Sequence, residues 1–307
     1  LAHDGHDHGE VHATGGAGAL TRRFGFAIAL TGLLLVGEVV GGILSGSLAL
    51  LSDAAHVFMD LFALGLTLGA TLLARLGPDD SRTYGWHRAE VFAALVNSLS
   101  LFVIISVILR EAYLRIKAPT EVHSVGLLIV ASIGLVVNLI VAMGLRRHAR
   151  RGDINIRSAF LHVLGDAGAS VAVIAGGVII ALTGWNIVDP ILSLGIGLLL
   201  FWGAGRLFLD ALHILIEGTP RGVSPRAVAE AINGVDGVLD VHNLHIWSIC
   251  SHISAMSVHC RVEYGRGPEV THAVAAVVDD RFGIPHATVQ TEEAPCEDTN
   301  FYRKLEH

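Results

Sequence analysis

Two histidine–aspartate pairs with i,i+4 spacing lie inside separate apolar runs: His56/Asp60 in SDAAHVFMD and His162/Asp166 in SAFLHVLGD. On an α-helix, residues four apart share a face, so each pair presents an imidazole nitrogen and a carboxylate oxygen together. If the two helices meet, the four groups make a nitrogen/oxygen site with the ligand count zinc prefers. Placing two carboxylates in hydrocarbon is costly, and such residues mark an ion path. The competing reading is that each histidine bonds its own aspartate between packed helices. It incurs the membrane cost twice for no gain.

The chemistry available to such a site is transport. No HExxH occurs, and two HxxxD pairs close a four-coordinate shell without the open position that hydrolytic zinc needs. No GxxxxGKS/T loop occurs, so the chain offers no nucleotide engine. Metal binding requires neutral imidazole and ionised carboxylate, and histidine titrates near neutral pH. Zinc and protons therefore compete for the same atoms, and alternating exposure of one site gives exchange. The expectation is a proton-coupled secondary transporter of zinc. Two rival classes are an intramembrane zinc enzyme, which would need a general base and a cleft, and a zinc sensor, which leaves ligands at membrane depth unexplained.

Positioning these ligands requires membrane helices. The 307 residues are only 16% charged, below the quarter typical of soluble chains, and the mean hydropathy is +0.59. Six apolar runs near 24–44, 49–75, 90–114, 123–146, 157–183 and 187–214 can each cross about 30 Å of hydrocarbon. Arg22 and Arg23, then Arg75, Arg82 and Arg88, then Arg146, Arg147, Arg150, Arg151 and Arg157 flank alternate ends of these runs. Arg110, Arg115 and Lys117 are the basic residues of the opposite side. This asymmetry predicts both termini in the cytoplasm, with LSGS and LTGWN as turns on the far side. A bacterial cytoplasmic membrane is the expected location.

Within the spans, Glu38, Asn97 and Asn138 fit interhelical hydrogen bonding as well as ion handling. Asp53, one turn before His56, fits either cation guidance or a helix-end role. Asp189, beside Pro190, is expected to cap the sixth helix.

From about residue 221 the pattern becomes that of a soluble domain. SPRAVAEAINGV reads as a helix with Ser224 as N-cap and Pro225 in the first turn. VLDVHNLHIWSI and ISAMSVHCRVEY read as strands, EVTHAVAAVVDDRF as an amphipathic helix and HATVQTE as a third strand. The fold class is thus an α-helical membrane protein. A six-helix transmembrane domain over 21–216 precedes an α-β-β-α-β domain over 217–295 with helices on one face of a sheet.

The flanks are a His-rich tail (1–20), expected to be disordered, and a C-terminal tail (296–307). Leu305–His307 resemble the start of an affinity tag. The opening LAHDGHDHGEVHATGG lacks the pattern of a signal peptide. His3, His6, His8 and His12 could collect metal there or simply be solvated. Three cysteines, Cys250, Cys260 and Cys296, with no CxxC argue against a disulfide framework. Basic residues flank apolar runs without interleaved aromatics, which argues against nucleic-acid binding.

The segments SGSLALLSDAAHVFMD, RTYGWHRAEVFAALVN, SAFLHVLGDAGAS, VDPILS and VHNLHIW resemble the cation diffusion facilitator family, in particular its zinc-transporting branch, over about residues 20–293. The resemblance implies a homodimer whose C-terminal domain is cytoplasmic and metallochaperone-like. It also implies divalent-metal/proton antiport by alternating access, with His56, Asp60, His162 and Asp166 as the intramembrane ligands. Members with aspartate in place of His56 include cadmium-tolerant ones, and a nitrogen-rich site suits zinc better than magnesium or calcium. Cadmium, cobalt and iron remain possible cargo. A loop site built from one aspartate and two histidines is missing here, because Arg82 and Trp86 stand at the histidine places.

The resemblance further implies a metal role for His87, and a zinc site in the C-terminal domain at His242, His259, His286 and Glu292, with a structural or regulatory ion. Even spacing places His286, Gln290 and Glu292 on one strand face. A hairpin turning around Cys250–His252 brings His242 near His259. His245, an odd step from His242, is expected on the opposite face. Cys296 could complete a site or be a free thiol.

Overall fold

A computed structural model describes residues 14–149 and 154–294. The tail histidines His3, His6, His8 and His12, together with Cys296 and Leu305–His307, lie outside the described residues. Six helices come first: α1 (Thr14–Ser45), α2 (Leu48–Ala74), α3 (Ala89–Lys117), α4 (Ser124–Ala149), α5 (Ile154–Thr183) and α6 (Val188–Leu215). Each contains an apolar stretch of 18 to 29 residues. At about 1.5 Å per residue these reach about 27 to 44 Å, enough to span a bilayer. Leu33, Ile43, Val103, Val125, Leu182 and Leu199 are exposed on these helices, as lipid-facing side chains are and as water-facing ones are not.

The chain divides into two compact units. The first comprises residues 1–62 and 101–202 and the second residues 63–100 and 203–307. In the first, Ala49 and Leu50 of α2, Leu127 and Ala131 of α4, and Val173 and Ile180 of α5 form a core with Val188, Leu192 and Ile196 of α6 beside it. Close approach of α5 to α4 depends on Gly177, where an added Cβ would collide with Leu127 and Leu128. The α1–α2 turn is closed by Gly46 at φ +69°, a left-handed position that favours glycine.

α1 begins at Thr14, inside the stretch expected to be a disordered tail. Adding turns to an established helix is far cheaper than nucleating one.

Asp189 also departs from expectation, since it serves α2 and not its own helix. Fully buried, its carboxylate accepts from Ser47 Oγ at 2.5 Å, from the Leu48 amide at 2.7 Å and from the Ala49 amide at 3.2 Å. These amides are orphaned at the first turn of α2, where a negative charge is favoured.

The second unit contains α7 (Pro225–Asn233), β1 (Val238–Cys250), β2 (Ile253–Val262), α8 (Gly267–Phe282) and β3 (His286–Glu292). The order is the α-β-β-α-β read from the sequence, and Ser224 caps α7 by accepting from the Ala227 amide at 3.4 Å. The strands lie in the order β1-β2-β3, with β1/β2 antiparallel and β2/β3 parallel. Val228 and Ile232 of α7 and Val270, Val274 and Val278 of α8 pack on Leu244, Ile246, Met256 and Val258 of the sheet.

One irregularity changes which residues share a face. His242 pairs with His259 and His245 with Ser257, so β1 spends three residues where β2 spends two. The extra residue is Asn243, at φ +50°, a β-bulge. It returns His245 to the same side as His242, contrary to the odd-step expectation.

Candidate metal sites

The first cluster lies within the first unit. His56 and Asp60 sit one turn apart on α2, and His162 and Asp166 one turn apart on α5. One ligand atom from each lies within 4.8 Å of the other three. His56 Nε2 is 3.3 Å from Asp166 Oδ1 and 3.6 Å from Asp60 Oδ2. His162 Nε2 is 3.1 Å from Asp60 Oδ2 and 3.9 Å from Asp166 Oδ2. The shorter contact of each histidine therefore reaches the other helix, not its own i+4 aspartate.

A tetrahedral ion with metal–ligand bonds of about 2.0–2.2 Å needs nitrogen–oxygen edges of about 3.4 Å, and the four distances bracket that value. The two rings meet edge-on with centroids 5.6 Å apart. His162 and Asp60 are the more accessible pair, with side chains 50% and 38% exposed against 20% for His56 and 17% for Asp166.

Around the cluster, Asp53 and Glu38 are buried. Glu38 occupies a notch at Gly134, where a Cβ would stand 3.2 Å from Glu38 Oε1, and its Oε2 is buried without a hydrogen-bond partner among the described residues. Asn97 Oδ1 is likewise buried and unpartnered. Asn138 is half-buried.

A second cluster lies in the sheet of the second unit. His242, His259 and Glu292 bring ligand atoms within 4.8 Å of one another. Glu292 Oε1 accepts from His259 Nδ1 at 2.9 Å, and its Oε2 stands 3.3 Å from His242 Nε2. Asn243 Nδ2 donates to His259 Nε2 at 3.2 Å. The bulge at Asn243 thus gives that residue a place beside the cluster. His242 is only 2% exposed, yet neither of its ring nitrogens has a hydrogen bond of good geometry. An imidazole buried with both nitrogens unmet is costly and fits an ion-binding position.

His286 is not part of this trio within one chain. It starts β3 opposite Ala255, whereas Gln290 lies opposite His259. Six residues at about 3.3 Å each separate it from Glu292, roughly 20 Å along the strand. Its ring instead meets Tyr84 edge-on, with centroids 6.2 Å apart. His245 shares the face of the trio but is exposed, and it bonds Asn243 Oδ1 at 3.0 Å.

His87 lies beside Cys250 and His252, and these three also bring ligand atoms within 4.8 Å of one another. No local pattern names companions for His87. Cys250 and His252 stand 163 and 165 positions downstream, close together at the expected hairpin turn. The loop between α2 and α3 otherwise holds itself: Arg82 stacks over Trp86 at 3.9 Å and pairs with Asp79 at 3.6 Å. Hydrogen bonds from Ser81 hold the Asp79 carboxyl below its ordinary pKa.

With the geometry in place, comparison with known proteins identifies relatives over most of the chain. The cation efflux transmembrane domain matches residues 26–216, and the cation efflux protein cytoplasmic domain matches residues 220–294. The metal cation efflux system protein CzcD of Cupriavidus metallidurans is 40% identical over 291 residues, covering 94% of this chain and 92% of that protein. The cadmium, cobalt and zinc/H(+)-K(+) antiporter of Bacillus subtilis is 35% identical over 293 residues, with 94% and 92% covered. The zinc transporter ZitB of Escherichia coli is 35% identical over 298 residues, with 96% and 94% covered.

Proposed function

The chain belongs to the cation efflux family, and from that premise we propose that it exports zinc from the cytoplasm in exchange for protons through His56, Asp60, His162 and Asp166. Family membership makes it a multi-pass metal-cation efflux transporter and not an enzyme. The observation that carries the finer reading is the crosswise geometry of the four side chains, with two imidazoles and two carboxylates at the edge lengths of a tetrahedral dication.

Two carboxylates neutralise the charge of Zn2+, and two imidazoles favour it over magnesium or calcium. The ligands bind metal only when deprotonated, so falling pH on the releasing side displaces the ion. Each proton that replaces it sits on the same atoms, which couples the two fluxes at one site.

The names of the relatives support zinc, cadmium and cobalt as the cargo class and support proton coupling. Positive charge on alternate helix ends supports a cytoplasmic C-terminal domain, as does the description of its matching domain. That domain supplies the contact of a homodimer, and His242, His259 and Glu292 hold a zinc ion there that stabilises or regulates the transporter. His286 has no place in that site within one protomer.

The test is zinc uptake into proteoliposomes under an imposed pH gradient. Uptake is expected in the parent and lost in Asp60→Ala and in Asp166→Ala. Uptake that survives both changes, or that ignores the pH gradient, refutes the proposal.

A further inference from the structure

His87 stands in the loop ahead of α3, Cys250 closes β1, and His252 lies in the two-residue turn before β2 begins at Ile253. The Cys250 sulfur is 3.6 Å from His252 Nδ1 and 3.8 Å from its Nε2. A tetrahedral ion bonded at about 2.3 Å to sulfur and about 2.0–2.1 Å to nitrogen has sulfur–nitrogen edges of about 3.6 Å. The His87 and His252 rings meet edge-on with centroids 6.4 Å apart.

His87 Nδ1 is buried and has no hydrogen-bond partner among the described residues, an arrangement that costs free energy unless something binds it. Cys250 is 1% exposed, packed with Val91 and Ala211, so its sulfur is shielded from oxidants and alkylating agents but directed at the two rings. Glu90 completes the surroundings. Its Oε2 accepts from Ser251 Oγ at 3.3 Å and stands 3.6 Å from His252 Nδ1, which places a negative charge beside the cluster.

We propose that His87, Cys250 and His252 form a separate metal site for a borderline-soft dication of the zinc, cobalt or cadmium class. One thiolate and two imidazoles exclude magnesium and calcium. Three protein ligands leave a fourth tetrahedral position for water. Bound metal ties the α2–α3 loop to the β1–β2 turn, joining segments more than 160 positions apart.

Cobalt substitution in the full-length, detergent-solubilised chain tests the site, because only a cysteine ligand gives thiolate-to-cobalt charge-transfer absorption. That absorption is expected in the parent and in Cys296→Ser, and absent from Cys250→Ser. His252→Gln, at an exposed position that folding tolerates, is expected to weaken it strongly, as is His87→Gln. Zinc content by elemental analysis is expected to fall by one equivalent per protomer in each of these three variants. The absorption is expected to persist in Asp60→Ala, which separates this site from the transport reading. Absorption that survives Cys250→Ser, absorption lost in Cys296→Ser, or unchanged zinc content in all three variants overturns the proposal.

Discussion

The crosswise geometry makes a quantitative demand on the two aspartates. Each faces both imidazoles: Asp60 Oδ2 lies 3.1 and 3.6 Å from the two Nε2 atoms, and the Asp166 oxygens lie 3.3 and 3.9 Å from them. With both ionised, Zn2+ at the centre forms a neutral assembly. Asp→Asn at either position keeps the shape but leaves one unit of positive charge. The lost attraction of a dication for a carboxylate at about 2.1 Å is about 16 kcal/mol at an effective dielectric near 20. Most of it is offset by the dehydration cost the carboxylate no longer bears. Removing one partner of a partly buried charge pair typically leaves a net loss of about 3–5 kcal/mol, or about two to three and a half decades in affinity.

Asp166 is the less exposed of the two, so Asp166→Asn is expected to lose at least as much as Asp60→Asn. Calorimetric zinc titration checks this in a background of Cys250→Ser and His242→Ala, which silences the other clusters. A loss below about tenfold at either aspartate, or a large loss at one with none at the other, refutes the four-ligand geometry.

Three further outcomes follow from particular contacts. Asp189→Ala strands Ser47 Oγ and two amides of α2 without an acceptor. Each bond to a charged group is worth about 1.5–3 kcal/mol, so a clear drop in thermal stability in detergent is expected, and an unchanged melting point counts against the cap. His242→Leu removes a buried ring with two unmet nitrogens. It is expected to raise the metal-free melting temperature while abolishing stabilisation by zinc; a variant that still responds to zinc removes His242 from that site. Burial, with Glu292 and Asp240 adding to it, pushes the Cys260 thiol up to about 12. A raised folded pKa means stability that is complete below the unfolded value of about 9 and is lost as pH rises toward 12. Cys260 is therefore expected to resist alkylation at pH 8 in the folded chain, and rapid labelling there contradicts its placement.

The parts legible in the sequence were those encoded by local periodicity. Six apolar runs, the i,i+4 spacing of His56/Asp60 and His162/Asp166, and the Ser224 cap each depend on residues within a few positions of one another. Three features depended on contacts that spacing does not carry. Local capping rules assign Asp189 to its own helix, whereas its carboxylate meets the start of α2 more than 140 positions away. Strict alternation assumes an unbroken strand and puts His245 on the face opposite His242, but the left-handed Asn243 breaks the alternation. The companions of His87 are not legible because they stand more than 160 positions away, and local spacing carries no information about such a contact.

His286 shows the converse error. Even spacing along a strand fixes a face, but at about 3.3 Å per residue it does not fix proximity.

For the zinc/proton exchange proposed above, the crosswise contacts also bear on how coupling can be obligatory. If each histidine bonded its own aspartate, α2 and α5 would each carry a closed pair, and losing the metal would leave no interaction across the gap. Here His56 reaches Asp166 and His162 reaches Asp60, so protons on the imidazoles and a dication at the centre bridge the same two helices. Either occupant compensates the two carboxylates, and a site holding neither leaves two anions facing each other at membrane depth. That empty state is the one an exchanger must avoid, since crossing it uncouples the fluxes. In the proposed exchange, the geometry thus penalises the empty crossing through the same four side chains that are proposed to bind the cargo. Replacing both aspartates by asparagine removes the penalty, and the double variant is expected to equilibrate between inward- and outward-open states without metal or protons. Cysteine accessibility at the α1–α2 turn, compared with parent protein at high pH without zinc, measures this. If the double variant changes access no faster than the parent under those conditions, charge compensation is not what couples the two ions.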